Sequence, residues 1–159
     1  MIGIDTGNTA WILIAAAMVF FMTPGLALFY GGMARSKNVL STIMQSFFLI
    51  GVISVEFMLI GYTLIFGDDV YGIIGSVNKI GLMGTENSIM ERANIPEMAF
   101  IAFQCMFAII TPAIMGGSIT GRMRFAPFVV FAVIWSVLIY NPMAHWVWGG
   151  GFLANLGAL

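Results

Sequence analysis

The residues most able to do chemistry in this chain are aromatic, and they sit at helical or turn spacing. Trp146 and Trp148 lie two apart in "NPMAHWVWGGGF" (141–152), after the only histidine, His145, and ahead of Gly149–Gly151. Phe103 and Phe107 lie four apart in "AFIAFQCMFAIITPA", a spacing that stacks two side chains on one face of a helix. An aromatic face attracts a cation through its quadrupole. Tryptophan does so best, and the attraction reaches about 2 kcal/mol where the cation is desolvated. Each group also has a plainer reading. Two phenylalanines in an apolar run pack against lipid or core, and tryptophans near a helix end anchor it at the membrane interface. Two indoles above three glycines are less usual, because glycine permits a tight backbone turn under the rings. The residues alone leave anchor and binding site both open.

The polar candidates are few. Glu56 is the only formal charge inside an apolar stretch. An acid inside the membrane is costly, and it either serves function or hydrogen-bonds a neighbouring helix; the structural or interface role is favoured. His145, in a turn before two tryptophans, reads as a hydrogen-bonding or capping residue. One histidine with no carboxylate pattern beside it makes neither a metal site nor a catalytic dyad. The single cysteine, Cys105, rules out an internal disulfide framework and lies within an apolar run. No nucleophile with its base, phosphate loop or cofactor box is visible, and no basic stripe that would suit nucleic acid. The expectation is a protein that is not an enzyme and needs no cofactor or metal.

The elements that must position these residues follow from where charge is missing. Of 159 residues, 60% are hydrophobic and 8% charged, and the mean hydropathy is +1.01. A soluble domain is about one-quarter charged. No charge occurs between Asp5 and Arg35, between Glu97 and Arg122, or from Phe125 onward, and only Glu56 falls between Lys37 and Asp68. Each interval exceeds the ~20 residues that cross a bilayer as a helix. The chain therefore reads as an all-α, polytopic transmembrane helix bundle with spans near 9–32, 40–66, 98–121 and 127–140. Pro127 suits a first helical turn. Pro24, in "TPG" within the first span, and Pro112 are expected to kink their helices. The first span reads as a membrane helix rather than a cleaved signal, because no basic stretch precedes it. Gly117 and Gly121 form a small-xxx-small pair suited to tight helix packing.

Orientation follows from Lys and Arg. "MARSKN" and "TGRMRF" are short, basic and free of acids, and should be cytoplasmic. The N-terminus and the 67–97 loop carry six of the seven acids against Lys79 and Arg92, and should lie outside. With four spans, 141–159 also emerges outside, and "HWVWGGG" becomes an extracytoplasmic lip.

Four stretches, "FFMTPGLALFYGGMARSKNVLS", "IGYTLIFGDD", "AFIAFQCMFAIITPAIMGGSITGRMRF" and "NPMAHWVWGGGFLANLGAL", resemble the ammonium transporter (Amt/Mep/Rh) family. "TPGLALFYGGMARSKNVL" and "AHWVWGGG" are the most specific, and the resemblance runs across essentially the whole chain. It implies the first four spans of an inverted-repeat channel of about eleven helices, a homotrimer with one pore per subunit, and nitrogen uptake across the cell (plasma) membrane. It implies too that an extracytoplasmic vestibule recruits ammonium by cation–π contact, with the vestibule tryptophan at Trp148 and the two gating phenylalanines at Phe103 and Phe107. A cytoplasmic nitrogen-regulatory PII-type protein is an implied partner of the intact protein, besides the lipid bilayer and ammonium itself. In members of the family "LGAL" (156–159) leads into an Asp-Phe-Ala-Gly-Gly segment and then a helix with the first of two pore histidines. Those histidines, a vestibule hydroxyl and the second repeat would lie beyond Leu159, so this stretch alone is expected not to conduct. His145 matches neither pore histidine, and nothing is implied for Glu56.

The implied mechanism is physically sound. A bare cation in a narrow apolar pore carries a desolvation penalty of at least several kcal/mol. Desolvation also makes ammonium a stronger acid, so it sheds its proton and crosses as ammonia, whereas potassium has no proton to give. Two further readings stand beside it: an Amt-like sensor or scaffold that signals through a partner, and, less favoured, a membrane enzyme using Glu56 or His145.

Overall fold

A computed structural model describes residues 3–91 and 93–157; the ends of the chain, including the last two residues of "LGAL", and Arg92 lie outside it. Four helices long and apolar enough to cross a membrane are present among the described residues. Helix α1 is Thr6–Met33, capped by Asp5, whose carboxylate accepts from the Asn8 N–H at 2.9 Å. Helix α2, residues 39–66, follows a single 3₁₀ turn, Ser36–Asn38. It is α-helical over Val39–Glu56, widens to a π turn at Phe57–Gly61, and finishes over Tyr62–Phe66. Helix α3 is Glu97–Ile119. Helix α4, residues 125–148, joins Phe125–Trp135 to Asn141–Trp148 through a second π turn, Ser136–Tyr140. A last turn, α5 (Phe152–Asn155), follows the glycines.

These helices are apolar nearly all round, as lipid demands, and only narrow stripes are buried. On α1 the stripe is Ala16, Val19, Thr23, Ala27 and Gly31, small residues three or four apart. Helix α1 packs on both α2, where Gly31 abuts Ile43, and α3, the central helix, which also packs on α2 and reaches α4. The core runs through Leu49, Ile53 and Phe57 of α2, Ile101, Cys105 and Ala108 of α3, and Phe128, Ala132 and Tyr140 of α4.

Gly117 shows why small residues line these contacts. A Cβ there would lie 2.5 Å from the Tyr30 ring, and the Tyr30 hydroxyl donates to the Ile114 carbonyl at 3.0 Å. Gly121 lies past the end of α3, so the two glycines are not one packing pair. The backbone stays helical through both Pro24 and Pro112.

The larger difference from the sequence expectation is in α4. Its helix does not stop at 140 but continues through "NPMAHWVW". The Asn141 N–H reaches back five residues to the Ser136 carbonyl, and this wider turn absorbs the ring and missing N–H of Pro142 without breaking the helix.

The basic loops lie together at one end, where Met33, Ala34, Arg35 and Asn38 line one cavity with Thr120, Gly121 and Arg122. At the other end the N-terminus, the 67–96 loop and the chain after Trp148 are tied together. Asn94 and Ala93 carbonyls accept from Asp5 and Asn8, and the Gly72 carbonyl accepts from the Phe152 N–H. Within that loop two short antiparallel ladders form: β1 (Asp69–Val70) with β2 (Ile74–Gly75), and β3 (Ile89–Met90) with β4 (Ile95–Pro96).

Candidate functional site

Phe103 and Phe107 stand one turn apart on α3, both half-buried, with ring centroids 5.0 Å apart at an interplanar angle of 77°. That edge-to-face geometry follows from their (i, i+4) spacing and aligns the positive edge of one ring with the negative face of the other. Trp148 ends α4 and leaves 52% of its surface open. It borders two cavities. The larger of the two, about 450 Å³, is lined by Phe66, Phe100, Gln104, Val147 and Trp148, with Ile95 among its other walls. The second, about 280 Å³, is walled by Thr111, Trp135, Tyr140, Met143, Ala144 and Val147, with Trp148 again on its border. Trp148 and Val147 thus border both a partly polar chamber and a nearly apolar one.

The phenylalanine pair and Trp148 come from different helices and share neither cavity lining. They are related through α3. Phe100, Gln104 and Thr111, which line the cavities with Trp148, recur at the same three- and four-residue spacing as Phe103 and Phe107. The pair therefore sits on or beside the face of α3 that Trp148 overlooks.

The two tryptophans are in different situations. Trp146 donates its indole N–H to the Ile73 carbonyl at 2.7 Å and packs on Phe152, fastening α4 to the loop. Trp148 lines the two cavities instead. What holds α4 in place is His145, which is fully buried. Its Nδ1 lies 2.7 Å from the Ile65 carbonyl at the end of α2, and its Nε2 lies 2.9 Å from Asp69 Oδ1 in β1. Through these two contacts the ring bridges the end of α2 and β1. Gly149 makes this contact possible, since a Cβ there would come within 1.9 Å of the Ile65 oxygen and 2.4 Å of His145 Nδ1. His145 is thus a structural pin, as its sequence context suggested, but the carboxylate partner was not visible from the sequence.

A second pin secures the outer end of α3. Glu97, only 4% exposed, accepts from the Tyr62 hydroxyl at 2.5 Å and from Lys79 Nζ at 2.7 Å. The Lys79 ammonium also stands 5.8 Å above the Tyr62 ring. This latch joins α2, the outer loop and α3 directly beside Phe66 and Phe100, whose rings meet edge to face at 5.0 Å. Glu56 is buried between α2 and α4, accepting from Ser136 and Asn141. Among the described residues, no group of three or more His, Cys, Asp or Glu side chains could hold a metal ion.

The fold and the aromatic site define a class: a multi-pass α-helical membrane protein with ring-lined cavities at one end of its bundle. The Ammonium Transporter Family model matches residues 10–159, and the chain belongs to that family. It is 49% identical over 98% of its length to an ammonium transporter of Aquifex aeolicus, of which it covers 37%. Its fold is similar to the crystal structure of Candida albicans Mep2, with a TM-score of 0.89 at 32% identity, over 98% of this chain and 34% of that one. It is also similar to a structure described as a sensor Amt protein, with a TM-score of 0.86 at 27% identity, over 94% of this chain and 37% of that one. The chain thus spans little more than a third of the length of the relatives it matches.

Proposed function

We propose that the intact protein moves ammonium or ammonia across the plasma membrane, with the N-terminus and the Trp148 lip outside. The observation that carries this reading is the position of Trp148, a half-exposed indole on the border of both a partly polar cavity and an apolar one. An ammonium ion entering the larger chamber meets the indole face and gains cation–π attraction there. To go further it must leave water for an apolar passage beside Phe103 and Phe107. The desolvation cost favours loss of its proton and passage as ammonia. The acids of the outer loop and the Arg and Lys residues of the 34–37 and 122–124 loops support this orientation. Family membership supports a homotrimer and a cytoplasmic PII-type partner for the intact protein.

The similarity to the sensor Amt protein favours one second reading, in which ammonium binding is signalled to a partner rather than followed by bulk flux. Both readings need the Trp148 site. Trp148→Leu in the intact protein is expected to weaken methylammonium binding about fivefold, the equivalent of losing roughly 1 kcal/mol of cation–π attraction at a half-exposed ring. Unchanged binding and unchanged ammonium-evoked current would remove Trp148 from the site. Binding lost from a protein that carries no current would favour the sensor.

A further inference from the structure

Glu56 lies where two irregular turns meet. It is the last residue before the π turn of α2, Ser136 is the first residue of the π turn of α4, and Asn141 follows that turn directly. Ser136 Oγ donates to Glu56 Oε2 at 3.0 Å, and Asn141 Nδ2 donates to Oε1 at 2.9 Å. Ser136 and Asn141 have no exposed surface, and Glu56 keeps only 7%. The pocket is also tight on the α2 side, since a Cβ on Gly61 would come within 3.3 Å of Glu56 Oε1 and 3.5 Å of Asn141 Nδ2.

Two features are unusual for a merely structural acid. The carboxyl has no cation beside it; the ion pairs among the described residues join Lys79 to Glu97 and His145 to Asp69. The titratable side chains buried in the same helix core are Tyr62 of α2, Cys105 of α3 and Tyr140 of α4. And Asn141 Oδ1, fully buried beside the carboxyl, accepts no hydrogen bond among the described residues. A buried orphan acceptor is costly and calls for a reason.

We propose that Glu56, Ser136 and Asn141 form a proton-binding site inside the membrane, with the orphan Asn141 carbonyl as the acceptor that completes its protonated state. With the proton absent, the amide and the hydroxyl both donate to the carboxylate, as the geometry shows. When a proton arrives, an O–H bond forms on Oε1 and no other covalent bond changes. The amide then turns over so that Oδ1 accepts from that O–H, while Ser136 still donates to Oε2. An amide is suited to this because it offers both a donor and an acceptor. The side chains belong to α2 and α4 at their π turns, so proton occupancy is read by the helix that ends in Trp148. The site does not depend on what the pore carries.

Infrared difference spectra of the intact protein in lipid, taken between about pH 5 and 9 and spanning the range a buried carboxyl can reach, test this. The expected result is a protonated-carboxyl C=O band that appears on acidification, is missing in Glu56→Gln, and moves to higher frequency in Asn141→Leu, where the acceptor is gone. A spectrum of Glu56→Gln identical to the wild type would overturn the proposal, leaving a fixed interhelical pin. Should Glu56→Gln fail to fold, Asn141→Leu decides alone, and a band at the wild-type position in that variant would equally overturn it.

Discussion

Replacing His145 by alanine should loosen the outer end of the bundle by an amount that can be worked from its contacts. The ring is fully buried and holds two partners, the Ile65 carbonyl at 2.7 Å and Asp69 Oδ1 at 2.9 Å. The bond to a neutral backbone carbonyl contributes about 1 kcal/mol, and a bond to a carboxylate about 1.5–3 kcal/mol in a dry setting. The Asp69 side chain is 40% exposed, so screening brings the second contribution down to about 1 kcal/mol. The emptied ring volume adds about 1–2 kcal/mol of lost packing. The sum is about 3–4 kcal/mol for His145→Ala. His145→Asn keeps a donor near the Nδ1 position and should lose about half of that. Denaturant or thermal unfolding of the intact protein in detergent, followed by tryptophan fluorescence, measures both. A loss below about 1 kcal/mol for the alanine variant, or equal losses for the two variants, would refute the pin.

Gly149→Ala should act on the same contact from the other side. Its Cβ would come 1.9 Å from the Ile65 oxygen, so the backbone must shift, at a cost of about 1–3 kcal/mol of overpacking and with weaker ammonium binding at the displaced Trp148. In the latch at α3, Lys79→Met is expected to destabilise more than Glu97→Gln, because it leaves a 4%-exposed carboxylate without its cation; equal unfolding midpoints would contradict this. Gly117→Val should push Tyr30 off the Ile114 carbonyl and part α1 from α3 by about 1–3 kcal/mol, and wild-type stability in that variant would show that α1 adapts freely.

The membrane architecture was legible in the sequence because charge and apolar length alone decide it. Phe103 and Phe107 were legible as a pair for the same kind of reason, since helical spacing puts two side chains together whatever surrounds them. What joins distant segments was not legible. Asp69 and His145 lie 76 residues apart, and Glu56 lies 80 and 85 residues from Ser136 and Asn141. Those meetings depend on how each helix is rotated about its axis, and here two π turns set the rotation. The same turns hid the end of α4. A stretch holding Pro142, His145 and two tryptophans reads as irregular until a wide turn is allowed ahead of the proline. The separate duties of Trp146 and Trp148 likewise needed the loop to be in place, because Trp146 is held by the Ile73 carbonyl and Phe152, which the sequence places far from or beyond it.

Under the proposed function, this chain forms the entrance of an ammonium pathway that selects with aromatic rings and an apolar step. Reconstituting the intact protein in proteoliposomes and imposing equal gradients of ammonium and potassium tests it most directly. Ammonium should drive saturable flux that Trp148→Leu weakens, and potassium should drive none. Equal passage of the two ions, or ammonium flux indifferent to Trp148, Phe103 and Phe107, would contradict the account.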